Sequence, residues 1–330
     1  MSVKVAFIGV GGIAGQHFNS VAKIAGAETV GLCDVDAKRL AQRQAEFGGE
    51  TFTDPAQMLK ATQPDTVYIS VPPFAHGAAE LACLRFRVPF MVEKPVAIDM
   101  KTAKKILSGV KRTGVMAAAA YMNRYRAGIQ RVREVLAKDP AGLICGGWVD
   151  GFPGKHPWLF QKEKSGGQLL EQTTHIVDLL RYLCGEAESV SCYGADSKFV
   201  RGARNFTADC ASTAAIKMQN GAIANITSAW LSKAGGMGVY LTLLSRDHKI
   251  EISGWNNDVR ITHAGGKHIE EIKGEDNIFE IEDAAWIKAV RTGKPTGVLS
   301  DYADAVKSLA ISLAANESMA TGKPVKAKAY

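Results

Sequence analysis

Val3-Lys4-Val5-Ala6-Phe7-Ile8-Gly9-Val10-Gly11-Gly12-Ile13-Ala14 joins a β-type run, a glycine-rich turn and the start of a helix. Val3–Ile8 reads as a buried strand, and the stretch from Ile13 to Ala25 reads as the helix that follows. Gly9-x-Gly11-x-x-Ala14 lies between them, the context that a dinucleotide fingerprint requires. Gly9 permits the tight turn, Gly11 lets the backbone approach a pyrophosphate, and Ala14 is small enough for close helix–strand packing. The helix start at Gly12-Ile13-Ala14 offers N–H groups and a partial positive charge to phosphates.

The pattern continues outward from this unit. Glu28–Cys33, Thr66–Ser70, Pro89–Val92 and Val115–Ala120 read as further strands. Helical stretches at Ala37–Phe47, His76–Phe86 and Thr102–Thr113 alternate with them. Such alternation implies right-handed crossovers and a parallel, doubly wound sheet. Beyond Tyr121 the pattern changes. A helix at Ala127–Lys138 precedes a Gly/Pro/Trp-rich loop, Gly151–Gly167, and a helix at Leu169–Leu183. Long β-type runs follow at Ser189–Gly194, Cys210–Met218, Ala222–Leu231, Gly238–Leu244 and Lys249–Ser253, with turns such as Gln219-Asn220-Gly221 between them. Helices return at Ile281–Thr292 and Asp301–Thr321. The expectation is an α/β dinucleotide-binding domain over 1–121. An α+β domain with an open, mostly antiparallel sheet, for substrate binding and oligomerisation, is expected over 122–330.

Composition narrows the class. The 330 residues suffice for two domains with buried cores. No stretch is apolar for long enough to span a bilayer, and the N-terminus lacks the order of a signal peptide. A cytoplasmic setting is the default. The six cysteines form no CxxC and no zinc-ligand spacing, so no metal is expected. Net charge is +7, but the basic residues are scattered and form no stripe with interleaved aromatics. Nucleic acid is therefore not an expected partner.

Asp34 ends the second strand, where a carboxylate can accept from both adenosine ribose hydroxyls and would repel a 2′-phosphate. NAD is thus favoured over NADP, although Arg39 is near enough to neutralise that phosphate. Asp34 and Asp36 also read as a helix N-cap pair. In Ser70-Val71-Pro72-Pro73-Phe74-Ala75-His76, two prolines stop a strand and start a helix. Ser70, Val71 and Pro72 would border the cofactor, and His76 either faces it or serves the fold.

Glu93-Lys94-Pro95 closes another apolar strand. In open α/β sheets ligands lie at the carboxyl ends of the strands, which places Glu93 and Lys94 beside the cofactor. On the expected second-domain helix, Glu171, His175 and Asp178 are spaced to share one face. That face is either a solvated polar stripe or a histidine base tuned by carboxylates.

Together these residues resemble the family of glucose–fructose oxidoreductase, inositol dehydrogenase and MocA. The resemblance runs through the Gly9–Ala14 turn, Asp34, Val71-Pro72-Pro73 with His76, Glu93-Lys94-Pro95, and Asn123-Arg124. It continues through Gly166–Asp178 and the tail Glu317-Ser318-Met319-Ala320-Thr321-Gly322-Lys323-Pro324-Val325. It implies a Rossmann domain, then an α+β domain whose open sheet often mediates dimers or tetramers. It also implies sugar or polyol oxidation with NAD(P), Lys94 and His175 at the reacting hydroxyl, and a cis Lys94–Pro95 bond. The chain departs from the family's DxGxH helix with Glu171 and Thr173, which makes Glu171 a longer substrate ligand. Asn123, Arg124, Lys155, His156 and Trp158 are candidates for substrate contacts; Trp158 reads equally as a sugar-stacking ring and as a packing anchor. The leading expectation is an NAD-dependent dehydrogenase of a sugar, cyclitol or sugar derivative. NAD-assisted glycoside cleavage and a cofactor-sensing regulator are the rivals.

Overall fold

The protein is described here from a computed structural model covering residues 2–151, 157–195, 197–200 and 205–328. By backbone contacts the chain divides into two units, 1–122 with 277–305 and 123–276 with 306–330. The single boundary expected at 121/122 therefore misses a return of the chain. Residues 277–305 belong with the first unit because their apolar and polar side chains are buried against its first helix and sheet.

In the first unit, strands β1 (Val3–Ile8), β2 (Ala27–Cys33), β3 (Glu50–Phe52), β4 (Thr66–Ile69), β5 (Phe90–Val92) and β6 (Ala117–Ala119) form one parallel sheet. Their order is β3-β2-β1-β4-β5-β6, so the winding reverses between β1 and β4. That reversal opens the crevice where a doubly wound sheet binds its ligand. The helices are α1 (Ala14–Lys23), α2 (Ala37–Phe47), α3 (Pro55–Thr62), α4 (Ala78–Phe86) and α5 (Met100–Thr113). Local chemistry sets their starts. Asp36, Asp54 and Asp99 each accept backbone N–H groups at the first turns of α2, α3 and α5. β3 and α3 were not anticipated from the sequence, since three residues and eight residues carry little periodicity. α4 also begins later than expected, because Pro73–Ala75 forms a separate 3-10 turn.

The second unit holds α6 (Ala127–Leu136), β7 (Leu143–Gly151), α7 (Lys162–Ser165), α8 (Gln168–Glu171), α9 (Thr174–Cys184), β8 (Ala187–Ala195), β9 (Ala211–Met218) and β10 (Ile223–Ser232). It continues with β11 (Gly238–Leu244), β12 (His248–Ser253), β13 (Asp258–His263) and β14 (Ile269–Ile272). A last strand, β15 (Val325–Lys326), adds to β8. The nine strands run in the order β14-β13-β12-β11-β7-β10-β9-β8-β15. All neighbours are antiparallel except β7 and β10. β7, β13 and β14 were not expected as strands. One sheet face carries a core of Ile144, Ile176, Leu180, Ile216, Ile226, Leu241, Ile250 and Ile261 with their neighbours. The other exposes cross-strand neighbours such as Ile223, Leu143 and Leu244.

The return to the first unit is α10 (Ile278–Thr292), followed by the start of α11 (Tyr302–Thr321). Trp286 is fully buried in the first core, and its indole N–H donates to Thr66 Oγ1 at 3.0 Å. Ala119 N–H donates to Ser300 O at 3.0 Å, which ties the segment to the β6 edge. Among the described residues no helix is long and apolar enough to cross a membrane.

Candidate active site

At the first unit's crevice, Gly9 has φ +81° and a Cβ there would lie 2.5 Å from Ser70 O. Only glycine lets the end of β1 lie so near the end of β4. The next glycines face open space. A Cβ at Gly12 would meet nothing within 4 Å, and one at Gly11 would meet only Arg39 Nη1 at 3.7 Å. The turn thus presents a bare backbone shelf at the head of α1, where the first N–H groups of a helix have no partner inside it. Ser70 Oγ and His76 Nε2, both buried, make no hydrogen bond within the described residues. An open shelf of amides with polar atoms to spare fits a dinucleotide.

Asp34 closes the shelf. Its Oδ2 accepts Val10 N–H at 2.9 Å, and its Oδ1 accepts Asp36 N–H at 2.9 Å. Asp36 is the N-cap proper of α2, accepting from Lys38 and Arg39. Arg39 spans the two carboxylates, 3.5 Å from Asp34 and 3.3 Å from Asp36. While both carboxylates hold it, the guanidinium is not available to a 2′-phosphate. We expect tighter binding of NAD than of NADP, and Asp34→Ser should narrow the gap by roughly 1–3 kcal/mol as repulsion falls and Arg39 is released. Calorimetry on both proteins checks this; a parent chain that prefers NADP contradicts it.

His76 is anchored by Glu80. Its Nδ1 lies 2.6 Å from Glu80 Oε1, while Glu80 Oε2 accepts Gly77 N–H at the head of α4. This contact gives the histidine a structural task in the α4 start. Val71 and Pro72 lie between Ser70 and the 3-10 turn Pro73–Ala75.

At the end of β5, Glu93 is buried, Lys94 is half-buried, and the Lys94–Pro95 peptide is cis as expected. Glu93 Oε2 accepts Lys94 N–H at 3.1 Å. Glu93 Oε1 lies 3.1 Å from Nε2 of His17, whose Nδ1 faces both oxygens of Asp283 at 2.9 and 3.0 Å. Sequence reasoning passed over His17 and Asp283: one is a lone helix histidine, the other lies on the return helix.

In the second unit the expected continuous helix is interrupted. Thr173 N–H reaches five positions back to Gln168 O, wider than an α-helical turn, and α9 starts afresh at Thr174. Glu171 and His175 therefore do not stack on one unbroken helix face, which corrects the shared stripe with Asp178. Hydrogen bonds hold the break in place. Gln168 Nε2 donates to Trp148 O at 3.0 Å, and Trp230 Nε1 donates to Gln172 Oε1 at 2.7 Å.

His175 is buried in the first turn of α9, its ring 5.9 Å from that of Trp148, which meets Trp255 edge-on at 5.7 Å. Trp255 is 54% exposed. These two indoles were missed, since a strand tryptophan reads as core and a turn tryptophan carries no pattern. Glu171 is half-buried at the end of α8.

Asp178 turns to other partners. Its carboxylate receives Arg124 Nε at 2.7 Å, Arg124 Nη2 at 2.5 Å and Ser308 Oγ at 2.7 Å. The Arg124 guanidinium also lies over the Tyr182 ring at 4.8 Å. Asn123 Oδ1 accepts from Arg126 Nε and Asn257 Nδ2, each at 2.9 Å. Both residues expected at a substrate loop are thus buried in internal contacts. Trp158 lies half-buried in the 3-10 turn Pro157–Phe160, and Lys155 and His156 fall outside the described residues. One group among the described residues could hold a metal: His263, His268 and Glu270. Arg131 already grips Glu270 through Nε at 2.9 Å and Nη2 at 3.0 Å.

Comparison with known proteins agrees with this architecture. Residues 3–121 match the oxidoreductase family with an NAD-binding Rossmann fold, and residues 130–259 match the GFO/IDH/MocA C-terminal domain. The chain is 26% identical to scyllo-inositol 2-dehydrogenase (NAD(+)) of Bacillus subtilis (strain 168), over 98% of this chain and 96% of that protein. It is 31% identical to D-apiose dehydrogenase of Paraburkholderia graminis, where the match spans 56% of this chain and only 50% of that protein. Among solved structures, levoglucosan dehydrogenase in complex with NADH superposes with a TM-score of 0.88 at 18% identity, covering 99% of this chain and all 100% of that one. An oxidoreductase from Agrobacterium radiobacter, in complex with NAD+, L-tartaric acid and magnesium, gives 0.85 at 20% identity, with 99% of each chain covered. With both halves matched to domains of one family and a full-length relative alongside, this chain belongs to the GFO/IDH/MocA oxidoreductases, and its first unit is their NAD-binding Rossmann fold.

Proposed function

We propose that the chain is an NAD-dependent dehydrogenase acting on a secondary hydroxyl of a sugar, cyclitol or sugar derivative. The observation that carries this reading is the open glycine shelf closed by Asp34, in a chain that keeps both Lys94 and a buried His175 beside Trp148. Relatives that oxidise inositol and apiose support the substrate class. When bound, NAD supplies the hydride acceptor.

The roles assigned to the protein's own groups follow from their chemistry. His175 takes the hydroxyl proton, the task of a positioned general base. Lys94 donates a hydrogen bond to the same oxygen as negative charge develops on it. Glu171 is the next acceptor in line. Trp148 and Trp255 offer aromatic surface to the apolar face of a sugar ring. Trp255→Ala should therefore raise KM roughly 3- to 10-fold with little change in kcat, as loss of a stacking contact worth about 0.5–1.5 kcal/mol predicts.

The setting and assembly are part of the same proposal. Five of the six cysteines are buried free thiols, which fits a reducing cytoplasm. The open sheet face, where Ile223 is 56% exposed beside Leu143, supports a homodimer or homotetramer built on that face.

The test is NADH formation across a panel of inositols, free sugars, anhydrosugars, sugar acids and nucleotide sugars. NADH from at least one panel member supports the proposal. Product without net NADH from a glycoside would replace it with oxidation–elimination, and tight NAD binding without any turnover would replace it with cofactor sensing.

A further inference from the structure

We propose that His17 and Asp283 are positioning residues for Lys94, acting through Glu93; the inference rests on the role given above to Lys94. One imidazole stands between two carboxylates. Its Nδ1 faces Asp283 at 2.9 and 3.0 Å, and its Nε2 faces Glu93 at 3.1 Å. All three side chains are buried. A neutral imidazole has only one N–H to donate, so two such contacts need a further proton held within the group. Burial opposes charge on the ring, yet Asp283 and then Glu93 outweigh it and raise the His17 pKa well above its ordinary value.

The consequence is a connected path. Asp283 on α10 holds His17 on α1, His17 holds one oxygen of Glu93, and the other oxygen of Glu93 accepts Lys94 N–H at 3.1 Å. Fixing the Lys94 peptide N–H fixes the direction in which its side chain leaves the backbone. Buried ion pairs add little net stability compared with a well-packed apolar core, because desolvation offsets their attraction. Their advantage is direction. The glycine shelf lies a turn earlier on α1 than His17, so the path orients the lysine without forming the phosphate site.

The experiment uses the full chain and three substitutions, His17→Gln, Asp283→Asn and Glu93→Gln, with Lys94→Met alongside. Turnover of the best panel sugar is expressed per NADH-binding site, counted by fluorescence titration, so that misfolded protein does not register. Each of the three should lower kcat roughly 10- to 100-fold, the scale of a reacting group displaced by about an ångström. The NADH Kd and the sugar KM should stay within about threefold. Glu93→Gln keeps the side-chain size but has a single acceptor oxygen, so it cannot serve His17 and Lys94 N–H on separate oxygens, and it remains informative if the other two fold poorly.

Unchanged kcat per site in all three variants overturns the proposal, as does a parallel loss of kcat and NADH affinity. Undiminished turnover by Lys94→Met also overturns it, and shows that the fault lies in the role of the lysine. A readout independent of turnover is a crystal structure of His17→Gln. Rotation of Glu93 off the Lys94 N–H supports the proposal; a Glu93–Lys94 bond still at 3.1 Å, with the lysine unmoved, contradicts it.

Discussion

Lys94→Met and His175→Asn should each lower turnover by at least ~10²-fold, the usual size of a lost general acid–base group. NADH affinity should survive in both, because neither residue belongs to the Gly9–Ala14 shelf. His175 is buried, so circular dichroism and the NADH-binding stoichiometry must accompany the rate. The double variant should lose less than the product of the single effects, since groups serving one proton transfer are not additive. A full wild-type rate in His175→Asn across pH 6–10 would move the base elsewhere, and Glu171→Gln would be the next variant to assay.

Arg124→Ala should lower stability by about 3–5 kcal/mol, because it leaves the Asp178 carboxylate buried without its charge partner. The melting temperature should fall by several degrees. Removing both charges at once, as Arg124→Met with Asp178→Leu, should recover most of the loss, since an apolar pair of similar volume needs no desolvated charge. A substrate contact at Arg124 gives a different result: higher KM, an unshifted melting temperature and no recovery in the double variant.

The first unit was legible because its signals are local. A strand, a glycine turn and a helix stand next to each other in the chain, and the Asp34 carboxylate follows from its position at a strand end. The Lys94–Pro95 geometry came from the resemblance alone. What escaped the sequence was set by distant partners. Arg124 looked like a loop residue offered to substrate, but Asp178 and Tyr182, more than fifty residues on, claim it. The 169–183 helix looked continuous because its apolar spacing survives the interruption. The wide turn at Thr173 is pinned by Trp148 and Trp230, whose hydrogen bonds no helical period encodes. His17 carried no signal, since its partner Asp283 lies 266 residues away.

That separation sets a schedule for biosynthesis. The chain leaves the first unit after Met122 and comes back only at Asn277, so the Rossmann sheet has all six strands but not yet its returning helix when the sixth strand is made. At about 5–20 residues per second, roughly 13 to 50 s pass between synthesis of His17 and of Asp283. During that interval the nascent sheet lacks the helix that carries Trp286, and the imidazole has one carboxylate where it will later have two. A ribosome stalled within the second unit's strands would therefore hold out a nucleotide-binding half with its first helix uncovered, a surface for chaperones to shield until α10 arrives.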